Sequence, residues 1–198
     1  MIAAVIERPE LTLPPTEAAT LHALFAQSAV ILEYGMGGST VMAAEMPGKR
    51  VQSVESDPIW LAGIHQWFAE NPPVSVPVLH HANIGPTRKW GHPVDETAIR
   101  HWPAYAQGIW DRADFTAPDV VFIDGRFRLA CLLTVALRTE RPLTVLVDDY
   151  IDRPGYHEAE PMLGTPEMIG RMARFDLMPG MIPMNRLRLV IDSHMRPL

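Results

Sequence analysis

Short apolar runs alternate with stretches of helical periodicity along most of the chain. The runs have strand length and are bounded by turn residues, whereas the stretches between them place apolar residues three and four positions apart. This alternation is typical of an α/β domain. The predicted strands are, in chain order, Val30–Glu33, Arg50–Glu55, Val74–His80, Asp119–Asp124, Thr144–Asp148, Phe175–Met178 and Leu187–Ile191.

Helices are predicted between most of these strands. Thr16 is predicted to cap the first helix, and Asp57 to cap the third, with Pro58 at its first position. The last two strands are predicted to form an antiparallel hairpin through the turn Pro179-Gly180. The predicted helices are Pro15–Gln27, Ser39–Met46, Pro58 to about Ala69, Arg128–Arg138 and Pro166–Ala173.

The segment 81–118 is longer than a connection in this pattern needs, and we call it the insertion. It contains prolines at four positions and tryptophans at 90, 102 and 110. Structureless loops of this length are uncommon unless they have a function. We expect either a lid over an acceptor substrate, with the tryptophans as an apolar wall, or a segment whose tryptophans pack onto the core.

Composition narrows the class of protein. The chain has 198 residues, 47% of them hydrophobic, so it can bury a sizeable core as one domain over 1–198. Its apolar runs are too short for a membrane span, and its first residues lack the long apolar stretch of a secretory signal. The net charge of -6, with no basic block, argues against nucleic acid as the main partner. One cysteine, Cys131, favours a core position and a reducing, cytoplasmic compartment.

The most informative motif is a glycine turn after the first strand, Glu33-Tyr34-Gly35-Met36-Gly37-Gly38-Ser39-Thr40. Glycines let the backbone turn sharply and let a ligand approach closely. Glu55 ends the next strand, where a carboxylate can accept hydrogen bonds from ribose hydroxyls. Together these features predict a nucleoside pocket.

Two ligands that contain a nucleoside are the alternatives for this pocket: a nicotinamide dinucleotide and S-adenosylmethionine. A nicotinamide dinucleotide fingerprint needs a third glycine where Thr40 stands, and Glu33 would repel a pyrophosphate. An NAD-dependent oxidoreductase therefore remains the weaker alternative. Glu33 is well placed for a cation or a free amino group, and S-adenosylmethionine carries both.

The turn and Glu55 resemble the first two motifs of the class I S-adenosylmethionine-dependent methyltransferases. The resemblance implies a Rossmann-like, doubly wound and mostly parallel seven-stranded sheet, with helices on both faces and a C-terminal antiparallel hairpin. It also implies that the turn contacts the methionine part, that Glu33 reaches its amino group and that Glu55 holds the ribose. The full set of cofactor-binding residues expected on this basis is Glu33, Tyr34, Gly35, Met36, Gly37, Ser39, Glu55, Ser56, Asn83 and Asp124.

Acidic residues end two later strands. Asp124 follows one strand, and Asp148-Asp149 follow the next, so their carboxylates can converge at one edge of a parallel sheet. The pair Asp124 and Asp148 resembles the metal site of the catechol-type O-methyltransferases, with Asp149 in place of an asparagine. Mg²⁺ or Ca²⁺ would accept all three oxygens.

The arginines of Asp124-Gly125-Arg126-Phe127-Arg128 leave two alternatives open. They can neutralise the aspartates without a metal, or they can bind a carboxylate or phosphate of an acceptor. His157, in the segment after the fifth strand, is a candidate proton acceptor beside Asp124 and Asp148. The sequence thus predicts a methyltransferase that O-methylates a small-molecule or sugar-like acceptor. A non-catalytic S-adenosylmethionine-binding module is a further alternative.

Overall fold

In the computed structural model, residues 7–197 are described, and they form a seven-stranded sheet with a separate two-stranded ribbon. The strands are β1 (Val30–Tyr34), β2 (Arg50–Glu55), β3 (Val78–His81), β4 (Thr87–Arg88), β5 (His92–Pro93), β6 (Val120–Ile123), β7 (Leu143–Val147), β8 (Glu167–Ile169) and β9 (Met172–Leu177). The α-helices are α1 (Pro15–Gln27), α2 (Gly38–Glu45), α3 (Pro58–Glu70), α4 (Pro103–Gln107), α5 (Arg128–Arg138), α6 (Glu160–Leu163) and α7 (Leu187–Ser193).

The large sheet has the order β3-β2-β1-β6-β7-β9-β8. Its first five strands are parallel, whereas β9 runs antiparallel to β7 and pairs with β8 as a hairpin. The strand order reverses between β1 and β6, which is where open α/β sheets bind ligands. The predicted Rossmann-like sheet, mostly parallel with a C-terminal antiparallel hairpin, is confirmed.

The core lies on both faces of this sheet. One apolar cluster packs α5 and the insertion against β1, β6 and β7, and the other packs α1 and α2 against the opposite face. The helix α5 is buried along almost its whole length, since its neighbours cover it on several sides. Within residues 7–197, no helix is both long enough and apolar enough to cross a membrane.

The C-terminal hairpin uses other residues than those predicted. The predicted helix Pro166–Ala173 is wrong, because Glu167–Ile169 and Met172–Leu177 are the two strands and the chain reverses at Gly170. The predicted strand Leu187–Ile191 is the helix α7. Val190 and Ser193 of this helix and His194 directly after it are buried with helical spacing, and a short apolar run alone does not distinguish a helix from a strand.

Candidate active site

The carboxyl ends of β1 and β6 touch at two glycines. Gly35 has a φ of 101°, and a Cβ there would lie 2.5 Å from the backbone nitrogen of Gly125. Glycine is the residue that tolerates both this backbone conformation and this contact. The glycine turn therefore rests directly on the turn that follows Asp124.

A cavity of about 530 Å³ opens beside this contact, and we call it the glycine-turn cavity. Its volume lies in the range of small-molecule sites. It is lined by the turn itself, by acidic residues and by parts of the N-terminal segment and the insertion: Glu10, Leu11, Thr12, Gly35, Met36, Gly37, Gly38, Ser39, Glu55, Asp57, Trp60, Lys89, Trp90, Gly91, Asp124, Gly125 and Arg126.

Glu33 lies beneath the turn and is 1% exposed. Its carboxyl group accepts hydrogen bonds from the hydroxyls of Ser39, Thr40 and Ser53, the last at 2.6 Å. Burial raises the pKa of Glu33 to about 7, and the three hydroxyls oppose this shift. Glu33 is not part of the cavity wall. It contacts Ser39, which does line the cavity, and so supports the wall from behind.

Glu55 does line the cavity, at the end of β2. Its Oε1 accepts hydrogen bonds from the backbone N–H groups of Ser56 at 2.7 Å and Asp57 at 2.8 Å. Burial raises the pKa of Glu55, while these N–H groups favour its ionised form. The same bonds fix the direction in which its carboxylate faces the cavity.

Three other predicted cofactor residues lie outside the cavity wall. Tyr34 is buried in the core, where its hydroxyl donates to the carbonyl oxygen of Ala106 and accepts from Trp110 Nε1, both at 2.7 Å. Ser56 is buried behind Glu55, with its Oγ 3.2 Å from the carbonyl oxygen of Gly91. Asn83 is exposed, and its Oδ1 accepts a hydrogen bond from the backbone N–H of Gly85.

Asp124, Asp148 and Asp149 come together as the sequence predicts, and we call them the aspartate cluster. One carboxylate oxygen from each lies within 4.8 Å of the others. Two arginines already occupy these oxygens. Arg128 contacts Asp124 at 3.0 Å and Asp149 at 3.2 Å, and Arg171 makes two hydrogen bonds to Asp148, at 2.9 and 2.6 Å.

This donor set does not fit a divalent cation. A hard cation needs several free oxygen ligands, and both oxygens of Asp148 accept from Arg171. Arg128 is also held by the carbonyl oxygens of Gly125, Asp124 and Asp148, which fixes its positive charge beside the carboxylates of Asp124 and Asp149. Guanidinium groups thus supply the compensating charge that a metal would otherwise bring.

Among the three predicted catalytic residues, Asp124 lines the cavity. Burial raises its pKa to about 7, Arg128 lowers it, and Asp148 and Asp149 add to the rise. Asp148 is 1% exposed behind it. His157 stacks on the ring of Tyr150, and its Nε2 lies 3.1 Å from the carbonyl oxygen of that residue. Neither Asp148 nor His157 belongs to the cavity wall.

Several residues of the site were not predicted from the sequence. The segment Glu10–Thr12 crosses the turn so closely that a Cβ on Gly38 would overlap its backbone. Trp60 donates from Nε1 to the carbonyl oxygen of Met36 at 2.7 Å and so fixes the turn from the side of α3. No motif marks either contact. Trp60 could have been found from its position in the sequence, because it lies at the start of the helix that follows Glu55.

The insertion contributes to both the core and the cavity. Trp102 and Trp110 are 3% and 8% exposed within the main apolar cluster, whereas Trp90 is 74% exposed at the cavity. Trp90 has a φ of 66°, an uncommon conformation for a tryptophan. Gly91 then passes so close to Glu55 that a Cβ would lie 3.3 Å from its Oε1.

No protein-family model matches this chain, and no curated protein sequence matches it. Solved structures do. The O-methyltransferase TomG from Streptomyces achromogenes, in complex with S-adenosylmethionine, is 18% identical, with a TM-score of 0.58 over 86% of this chain and 82% of that one. An RNA methyltransferase from Salinibacter ruber, in complex with S-adenosyl-L-homocysteine, is 14% identical, with a TM-score of 0.52 over 88% and 97%. At these identities the likeness concerns the fold alone.

A methyltransferase-like protein from Silicibacter pomeroyi is far more similar. It is 47% identical, with a TM-score of 0.92, and the alignment covers 96% of this chain and 99% of that chain. Identity at this level over nearly two whole chains shows common membership of one family. Together with the glycine turn at the switch point of the sheet, it establishes that this chain belongs to the class I S-adenosylmethionine-dependent methyltransferases.

Proposed function

We propose that the protein binds S-adenosylmethionine in the glycine-turn cavity and methylates an oxygen atom of a small-molecule acceptor. The observation that carries the proposal is that the glycine turn, Glu55 and Asp124 all border the same cavity. Family membership supports the donor, and the net charge of -6 favours a small molecule over nucleic acid as the acceptor.

The residues of the cavity fit the donor in shape and charge. A Cβ on Gly37 would meet no atom of residues 7–197 within 4 Å, so the open backbone of the turn leaves room for a ligand. Glu55 faces the cavity with its Oε1 already oriented, and Asp57 and Asp124 add carboxylates to the wall. Beside these carboxylates a cationic ligand is favoured over a phosphate chain, while the two cations of the wall, Lys89 and Arg126, lie on the insertion and on the turn after Asp124. The donor would supply a methyl group activated by a positively charged sulfur.

Asp124 is the proposed proton acceptor. It borders the cavity, and its pKa of about 7 matches that of an efficient general base at neutral pH. Arg128 lies 3.0 Å from its Oδ1 and orients the carboxylate. The buried Asp148 would act as a positioning residue by holding Arg171 and raising the pKa of Asp124.

Calorimetry with S-adenosylhomocysteine and NAD in parallel tests the donor. We expect binding of the first and none of the second, and a loss of about tenfold or more in Glu55→Gln, since hydrogen bonds to a charged group contribute about 1.5–3 kcal/mol. The exposed Glu70→Gln is the matched control. Equal affinity in Glu55→Gln, or preferred binding of NAD, would refute the assignment.

A methyl-transfer assay then separates an enzyme from a binding module. The wild-type protein is incubated with labelled donor and a panel of hydroxylated, amine and thiol acceptors. We expect labelled product from a hydroxylated acceptor. Tight S-adenosylhomocysteine binding without product from any acceptor would instead favour the non-catalytic alternative, and product from the amines alone would refute O-methylation.

We also propose that residues 81–118 act as a substrate lid. Trp102 and Trp110 anchor the insertion in the core, which leaves the exposed Trp90 at the cavity mouth. Trp90→Ala is expected to raise the KM of the acceptor without lowering the free energy of unfolding. Ile59→Ala, an exposed residue outside the cavity wall, is the control. An unchanged KM in Trp90→Ala would exclude a contact between this side chain and the acceptor.

A further inference from the structure

Arg126 differs from the other arginines near the aspartate cluster. Its Nη1 donates a hydrogen bond to His92 Nε2 at 2.7 Å, and its Nε is buried without a hydrogen-bond partner in the described part of the chain. Among residues 7–197, no carboxylate oxygen lies within 4.0 Å of its guanidinium group. Arg128, two residues later, has its side chain 4% exposed and fully engaged. Arg126 therefore retains hydrogen-bond donors for a ligand at the cavity wall, whereas the donors of Arg128 are already engaged.

The hydrogen bond to His92 does not satisfy this charge. A guanidinium group can only donate, so His92 Nε2 must be the acceptor and the imidazole must be neutral. Burial lowers the pKa of His92, and the nearby Arg126, Arg88 and Arg153 lower it further, in that order. A neutral ring orients Arg126 and leaves its positive charge uncompensated.

The surroundings add further positive charge. Arg88 and Arg153 influence His92, and within the part of the chain that the structure describes neither has a carboxylate within 4.0 Å. Three arginines without ion pairs among residues 7–197 thus surround His92, in a chain whose net charge is -6, and Arg126 is the one of them that lines the cavity. Like charges brought together raise the free energy of the unliganded state, and an anion bound at the half-buried Arg126 lowers that cost.

We propose that Arg126 binds an anionic group of the methyl acceptor, a carboxylate or a phosphate. The inference rests on the proposed function and names its substrate class: a hydroxylated compound that carries one of these groups. A guanidinium fork matches both anions, and Nη2 of Arg126, which makes no hydrogen bond within residues 7–197, can donate to an anion in the cavity. Arg126 lies two residues after Asp124 on the same turn, so an acceptor anchored there by its anion would bring a nearby hydroxyl towards the proposed base.

The first test uses simple anions as probes on the protein saturated with S-adenosylhomocysteine. Inorganic phosphate and acetate are titrated separately at constant ionic strength, and the arginine Nε–H signals are followed by NMR. We expect saturable binding of at least one anion, centred on Arg126 Nε–H and weakened at least tenfold in Arg126→Gln. The anion that binds more tightly identifies the group. Arg186→Gln, an exposed arginine outside the cavity wall, should bind as the wild type does.

Three outcomes would overturn the proposal: no saturable binding of either anion, equal binding in Arg126→Gln, or anion binding only in the absence of S-adenosylhomocysteine. The last would assign Arg126 to the donor's own carboxylate. The affinity of Arg126→Gln for S-adenosylhomocysteine should stay within about twofold of wild type. If the wild type itself does not bind that ligand, the proposed function fails, which is a separate result.

The second test uses turnover. Hydroxy acids and phosphorylated hydroxy compounds are compared with their neutral esters or unphosphorylated counterparts as acceptors. Arg126→Gln should raise the KM of the anionic acceptor at least tenfold and leave the KM of the donor unchanged, and Arg126→Lys should recover part of the loss. A preference of the wild type for the neutral acceptors would refute the inference.

Discussion

Glu33 allows a sharp test of how the glycine turn is built. Its carboxyl group is fully buried and accepts from three hydroxyls, those of Ser39, Thr40 and Ser53. Burial raises its pKa from 4.5 to about 7. The folded protein therefore keeps this proton over a pH range in which the unfolded chain has already released it.

The sign and size of the effect on stability follow from proton linkage. Between pH 4.5 and about 7 the folded state binds more protons at Glu33 than the unfolded state, so the free energy of unfolding falls as the pH rises. Above that window both states are ionised and the loss is complete. The shift corresponds to about 3 kcal/mol. Glu33→Gln does not titrate, and its amide oxygen can still accept from a hydroxyl.

Urea denaturation of wild type and Glu33→Gln at several pH values from 4.5 to 8 measures this effect. The difference between their unfolding free energies should shift by about 3 kcal/mol in favour of the glutamine variant across the window. Glu140→Gln removes an exposed glutamate with no ion pair within residues 7–197, and it should follow the wild type. A constant difference between wild type and Glu33→Gln at all pH values would refute the raised pKa.

Three further predictions concern the same edge of the sheet. Gly35→Ala should lower the free energy of unfolding by roughly 3 kcal/mol or more in urea denaturation, since its φ of 101° and its contact with the Gly125 turn both exclude a Cβ. Gly37→Ala should leave that free energy nearly unchanged and weaken S-adenosylhomocysteine binding in calorimetry. Arg171→Met should cost about 3 kcal/mol because it leaves Asp148 buried and unpaired, and adding Asp148→Asn should restore most of that stability; additive losses in the double mutant would contradict the pairing. The kcat of the wild type should rise with pH through about 7, as Asp124 ionises and becomes able to accept a proton, and Asp124→Asn should lose both rate and this dependence in a pH–rate profile; a variant with the wild-type profile would exclude Asp124 as the base.

The sequence predicted the elements around the site well because local signals define them. Arg50–Glu55 and Arg128–Arg138 have the predicted bounds. Asp57 caps α3 as expected, its Oδ1 accepting from the backbone N–H groups of Ile59 and Trp60. Apolar runs bounded by caps and turns depend little on distant parts of the chain. The C-terminal region lacks such signals, and there tertiary packing decided between helix and strand.

The prediction of the site was limited by contacts between residues far apart in sequence. Adjacency of β6 and β7 correctly indicated that Asp124 and Asp148 converge. Nothing local indicated that Arg171, on the turn of the later hairpin, would occupy both oxygens of Asp148. The same holds for Arg126, whose neighbour His92 lies in the insertion. Spacing locates carboxylates on a sheet edge, but the fold decides which cations reach them.

One contact couples the donor side of the cavity to the acceptor side. Gly35 and Gly125 touch backbone to backbone, and the Tyr105 hydroxyl fills the space that a side chain on Gly125 would need. That hydroxyl also accepts a hydrogen bond from the backbone N–H of Arg126 at 3.2 Å. Tyr105 belongs to α4 of the insertion. The insertion therefore helps to position the Asp124–Arg126 turn relative to the glycine turn. A change at Tyr105 would therefore move the proposed base and the proposed anion-binding arginine together, because both lie on the turn that its hydroxyl contacts.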